Sequence, residues 1–146
     1  YGAKADRGIH LYAIEFLTKE WPNFKQWKHG CCGFSGGAKL SFLRVCQLVS
    51  AKLDVIGLFI VGCNGQFMEE ARKENRCSKS SLKKIKVWVS AGKTDQTAKL
   101  SSCKRVADEL GKFFKQIQFD EFDGGHTINQ PSFKKGLDWF VEEKER

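Results

Sequence analysis

Hydrophobic positions along this chain switch repeatedly between a helical period and runs of strand length. Ile9, Tyr12, Ala13, Phe16 and Leu17 recur at helical spacing and predict an amphipathic helix ending before Trp21-Pro22. Residues 27–33 read as a short strand, and residues 36–49 as a helix apolar enough to be buried on several sides. Residues 53–61 are apolar along most of their length, the pattern of a central parallel strand covered on both faces. A short polar helix at 66–75 is followed by a third strand at 85–90. Leu100, Cys103, Val106, Ala107, Leu110 and Phe113 then trace one face of a further helix. Residues 115–122 alternate at Ile117 and Phe119, giving a fourth strand more exposed than the others. Pro131 can open the last helix, whose expected inner stripe is Phe133, Leu137, Phe140 and Val141.

Strands alternating with helices imply an α/β fold: a mostly parallel sheet, right-handed crossovers and helices on both faces. At 146 residues the chain is expected to be a single domain, 1–146, large enough to bury a core. In such sheets ligands bind beyond the carboxyl ends of the strands, so the loops there are where chemistry is to be sought.

Charge and cysteine content change this picture little. A net charge of +8 invites a nucleic-acid partner, but the lysines are scattered over several helices and loops, and no aromatic residues alternate with them. A basic solvated surface is the better reading, with no nucleic-acid partner expected. No apolar run approaches the roughly twenty residues of a membrane span. The six cysteines show no C-x-x-C spacing, and none of the three histidines lies near a cysteine pair, so no metal site is expected. Cys31, Cys46, Cys63 and Cys103 fall on segments read as buried, where a free cysteine acts as a small hydrophobe and favours a reducing compartment. A disulfide between two of them stays open, and the compartment itself is not legible.

The strand ends carry the informative residues. After the first strand comes Gly33-Phe34-Ser35-Gly36-Gly37, a G-x-S-x-G run between strand and helix. A serine on so sharp a turn needs neighbours without side chains for strand and helix to approach, and the Gly36 amide points toward charge developing on an attacked carbonyl. A phosphate-cradling loop is the alternative, but no G-K-[ST] follows. The third strand ends in Ser90-Ala91-Gly92-Lys93-Thr94-Asp95 and the fourth in Phe122-Asp123-Gly124-Gly125-His126-Thr127. The three loops thus offer, in order, a nucleophile, an acid and a base: Ser35, Asp95 and His126. A serine hydroxyl attacks at neutral pH only when an imidazole takes its proton, and a carboxylate orients that imidazole.

These segments, with the closing Trp139-Phe140 helix, resemble the α/β-hydrolase superfamily, specifically small esterases of the dienelactone-hydrolase and polyester-depolymerase-like type. The resemblance extends over essentially the whole chain. It implies that the four strands here correspond to strands five to eight of that fold, with Ser35, Asp95 and His126 as the triad, Gly36 as an oxyanion donor, and Gly33 and Gly37 as elbow glycines. It also implies a small-molecule ester substrate and no cofactor. The family's earlier strands, and the loop bearing its second oxyanion donor, have no counterpart among the residues before Ser35. The strand at 27–33 is therefore expected to present an open edge. More chain before Tyr1, or a second subunit, is expected to cover it.

Other assignments compete with these. Asp123 and Asp120 are alternatives to Asp95, though a carboxylate on the neighbouring strand end approaches the imidazole better. His10 is read as a helix-surface residue and His29 as a strand residue. Cys31 and Cys32 are read as packing groups, Trp88 and Trp139 as core. Trp21 and Trp27 pack the first helix or line the uncovered edge. The expected activity is cleavage of a carboxylic ester through an acyl-serine intermediate. The alternative is a non-catalytic domain of the same fold that binds a ligand or partner.

Overall fold

The four expected strands form one parallel sheet in the computed structural model, which describes residues 3–142. They are β1 (Lys28–Phe34), β2 (Asp54–Val61), β3 (Lys86–Gly92) and β4 (Gln116–Phe122), adjacent in chain order. The helices are α1 (Ala3–Glu20), α2 (Gly36–Ser50), α3 (Met68–Glu74), α4 (Lys79–Leu82), α5 (Leu100–Leu110) and α6 (Gln130–Val141). The four-residue α4 and a 3-10 turn at Phe24–Gln26 have no periodic signal because each is a single turn. The other elements lie within two residues of the predicted bounds, except that α5 ends at Leu110 and leaves Phe113, expected on its face, in the turn beyond it.

Register lines up the carboxyl ends of the strands. Phe34 pairs with Val61, Val61 with Ser90, and Gly92 with Phe122, so the loops leaving all four strands emerge along one edge. Among the described residues β1 pairs only with β2, leaving its outer side without a strand partner. Tyr1, before which further chain is expected, lies outside the described residues.

The two sheet faces bury different chemistry. Against α2 and α5 lies an aliphatic core containing Val45, Cys46, Leu58, Ile60, Val87, Val89, Val106 and Leu110. Each of these is fully buried, as expected for a parallel sheet covered by its crossover helices. The α6 face is aromatic: Phe59, Phe122 and Phe140 are buried, with Phe34, Trp88, Phe133 and Trp139 packed against them. Trp88 and Trp139 are half-buried there, at the margin of the core rather than inside it. Cys31, Cys46, Cys63 and Cys103 are buried as expected, and Cys77 joins them.

Two predicted stripes are corrected. In α6 the buried positions are Ser132, Gly136 and Phe140, while Leu137 is 40% and Val141 60% exposed. The helix crosses the sheet so closely that only small residues fit where they meet. A Cβ on Gly136 would stand 2.7 Å from Phe59 Cδ2 and 3.1 Å from Trp88 Cγ, and one on Gly57 would run into the Phe140 ring. Lys86 closes the far end, its ammonium donating to the Trp139 and Glu142 carbonyls at 2.5 and 2.8 Å, where the helix dipole favours a cation. In α1, Ile9, Tyr12 and Phe16 are 66%, 71% and 50% exposed. The helix instead turns Ile14 and Leu17 toward a cavity shared with Phe24, His29 and Leu48.

The α6 contact yields a stability prediction. Gly57→Ala and Gly136→Ala should each destabilise the protein in urea unfolding. Overpacking costs about 1–3 kcal/mol, against about 0.5–1 kcal/mol recovered in backbone entropy. An unchanged midpoint would mean that the aromatic face can yield.

Candidate active site

β1 runs directly into Ser35, which caps the N-terminus of α2 with φ 54° and ψ −118°. Positive φ is costly for a residue with a Cβ, on the order of 1–3 kcal/mol, and persists only where the surroundings enforce it. Here they do. The Ser35 amide donates to Val61 O at 2.9 Å, and its carbonyl accepts from the Ala38 amide at 3.1 Å. Such a strand-to-helix turn raises the hydroxyl above the sheet edge.

The crowding at this turn falls on Gly33. A Cβ there would collide with the Ser41 hydroxyl, the Gly37 carbonyl and the Ala38 backbone, whereas one on Gly36 or Gly37 would meet nothing within 4 Å. The expectation that the glycines on both sides of the serine serve close approach is thus corrected. β1 touches the first turn of α2 beneath the serine, while Gly36 and Gly37 face open space. The Gly36 amide lies in that first turn, where N–H groups have no carbonyl within the helix to bond.

The loops after β3 and β4 are stitched together by backbone. Lys93 N–H donates to Phe122 O and Thr94 N–H to Gly124 O, both at 3.0 Å. They can approach this closely because Gly92 has no side chain: a Cβ there would strike the Gly124 and Gly125 carbonyls. This brings His126 Nδ1 to 2.7 Å from Asp95 Oδ2, while Nε2 lies 2.9 Å from Ser35 Oγ. The structure therefore brings together all three residues singled out by the strand-end motifs. The alternatives fall elsewhere: Asp123 is exposed and paired with Lys93 at 2.8 Å, and Asp120 sits within β4 opposite Ser90. His29 packs edge-on against Phe24, with ring centroids 4.7 Å apart.

The Asp95 carboxylate is almost wholly enclosed, with 1% of its side chain exposed against 23% for His126. Burial by itself pushes its pKa up. The amides of Ala98 and Thr97, each donating to Oδ1 at 2.8 Å, together with the His126 ring outweigh burial, and the carboxyl ends below its ordinary value. An ionised carboxylate only accepts hydrogen bonds, so the imidazole proton sits on Nδ1 and Nε2 accepts from the Ser35 hydroxyl. Thiols offer no competing nucleophile. Burial raises Cys31 to about 12 and Cys103 to about 11, and it raises Cys32 as well. Among the described residues no three His, Cys, Asp or Glu side chains converge as a metal site, and no helix is long and apolar enough to cross a membrane.

Several residues that matter here were not singled out from the sequence. Thr97 and Ala98 act through main-chain amides, which carry no residue-type signal. Phe34 packs against the His126 ring, and a Cβ on Gly62 would run into it. Gly62, directly after an apolar strand, is the one a strand-end reading could have found.

Neither a family model nor a curated protein matches the sequence. Solved structures do match the fold. Acyl-protein thioesterase 2 from Zea mays superposes with a TM-score of 0.59 at 16% identity, over 78% of this chain and 55% of that one. The PHB depolymerase of Penicillium funiculosum gives 0.57 at 14% identity, over 82% and 52%. An esterase of Pyrococcus furiosus gives 0.56 at 15% identity, over 88% and 58%. The fold is that of the α/β-hydrolases, and this chain spans about half the length of the structures it matches.

The depressed Asp95 pKa makes stability depend on acid pH. Its contribution is fully present above the unfolded carboxylate value of about 3.9 and is lost as pH falls through the lower folded value. Urea unfolding between pH 7 and pH 2 should therefore show an acid loss in the wild type that is smaller in Asp95→Asn. Equal acid slopes would contradict the assignment of that loss to Asp95.

Proposed function

We propose that this chain carries the nucleophile, base and acid of a serine hydrolase acting on carboxylic esters. The observation supporting this reading is the unbroken hydrogen-bonded path from Ser35 Oγ through His126 to Asp95, at 2.9 and 2.7 Å. It starts from a serine held at positive φ on the carboxyl edge of a parallel sheet.

In this mechanism His126 Nε2 takes the hydroxyl proton as Ser35 Oγ attacks the ester carbonyl carbon. The imidazolium is stabilised by the Asp95 carboxylate, and the tetrahedral oxyanion accepts from the Gly36 amide. Collapse breaks the bond to the alcohol oxygen, which leaves with the proton from His126 and yields acyl-Ser35. A water, deprotonated by His126, then attacks the acyl carbon and releases the acid and free Ser35. No cofactor enters these steps. The structural neighbours are named as a thioesterase, a depolymerase and an esterase, and the choice of ester here rests on that likeness.

A fluorophosphonate probe tests the reading on the folded chain. The wild type should label, Ser35→Ala should not, and His126→Ala should label about 10²–10⁴-fold more slowly, the usual contribution of a general base. Folded wild-type protein that fails to label would favour a non-catalytic domain of this fold.

A further inference from the structure

Two features besides its hydrogen-bond partners bound the His126 imidazole: the Phe34 ring and the space left open at Gly62. The Phe34 ring lies 4.7 Å away, centroid to centroid, with the planes inclined at 39°. The second is Gly62, the first residue after β2, whose φ of 58° is a backbone conformation that side chains disfavour. Its amide donates to Ser90 O at 3.2 Å, pinning it beside β3. A Cβ built on Gly62 would stand 2.9 Å from His126 Cε1, 3.1 Å from Nδ1 and 3.4 Å from Phe34 Cε2. The first of these is closer than carbon atoms pack, so the imidazole occupies space that a side chain at residue 62 would need, and Gly62 leaves that space open.

The ring needs such a seat. His126 sits at the end of a glycine-rich loop, partly open to solvent, and the Asp95 bond fixes only one of its atoms. A displacement of about 1 Å between base and nucleophile can cost roughly a hundredfold in rate. Phe34 immediately precedes Ser35 in the chain, so one turn of backbone sets both the nucleophile and one wall of its base.

We propose that Phe34 and Gly62 are positioning residues that hold the His126 imidazole in line between Asp95 and Ser35. The proposal rests on the reading of His126 as general base, but the placement of the ring can be observed without turnover. Neither residue is a catalytic one. Phe34 also packs into the aromatic core, so a loss of stability alone would not distinguish positioning from packing.

The test is NMR of protein carrying isotope-labelled histidine, which has only His10, His29 and His126 to assign, with His126→Gln identifying the third. Gly62→Ala and Phe34→Leu should each move or broaden the His126 ring signals, including its Nδ1 proton, while those of His10 and His29 stay in place. On the same folded proteins, the maximal rate of fluorophosphonate labelling should fall by about 10- to 100-fold, with the half-saturating probe concentration unchanged. Phe34→Tyr, which keeps the ring, should restore the rate. Wild-type His126 signals and rates in both folded variants would overturn the proposal while leaving the hydrolase reading standing. Disturbed ring signals in a protein whose wild type never labels would sustain the seat and defeat the hydrolase reading. Should Gly62→Ala fail to fold, Phe34→Leu decides the question alone.

Discussion

The 2.7 Å hydrogen bond between His126 Nδ1 and Asp95 Oδ2 sets the terms for the carboxyl edge of the sheet. It joins the end of β4 to the end of β3, and it fixes the imidazole tautomer, leaving Nε2 to face Ser35. For the bond to exist, two loops must touch backbone to backbone, which Gly92 allows because it has no Cβ to strike the Gly124 and Gly125 carbonyls. The carboxylate must also stay ionised while enclosed. The Ala98 and Thr97 amides supply what burial takes away, so the polar cost of the site is met by main chain that was free to donate.

From that bond the requirements pass outward through the sheet. His126 and Asp95 meet Ser35 only if β1, β3 and β4 end at matching heights, which the parallel register provides. The height of β4 depends in turn on the aromatic face beneath it, where Phe122 packs with Phe59 and Phe140. α6 is anchored there by the buried Ser90–Ser132 hydroxyl pair at 2.8 Å, to which Trp88 Nε1 adds a bond at 3.2 Å. Helix α6 begins four residues after His126, so the same packing that closes the core also fixes one end of the loop that carries His126. Stability and site geometry are therefore coupled through one helix.

The parts legible in the sequence were those written as contrast between neighbouring residues. A short segment at 27–33, two apolar runs at 53–61 and 85–90, and the alternating segment at 115–122 became four strands. The loops after three of them held Ser35, Asp95 and His126, which the structure draws together. Where reading failed, hydropathy pointed the wrong way. The buried stripe of α6 is built from Ser132 and Gly136, chosen for smallness at a close crossing, while the more apolar Leu137 and Val141 face outward. In α1 the pattern Ile9, Tyr12, Phe16 identifies residues that share a face but says nothing of whether that face is covered. Gly37 shows a third kind of failure: a motif glycine can be present without the crowding that explains it elsewhere.

Identity of 14–16% to the superposed structures carries the fold and no chemistry, so the functional argument has to stand on what this chain itself brings together. Part of what it brings together is costly to hold. Ser35 is kept at positive φ, a glycine occupies the left-handed position at Gly62, and a carboxylate is buried beneath an imidazole. Of these, the positive φ of Ser35 works against stability by an amount on the order of 1–3 kcal/mol. Gly62, by contrast, adopts its φ without a Cβ to strain, and the ionised Asp95 is stabilising at neutral pH. The convergence of Ser35, His126 and Asp95 within hydrogen-bonding distance at one edge of the sheet, each from a different strand end, is what the proposed proton path from a serine requires.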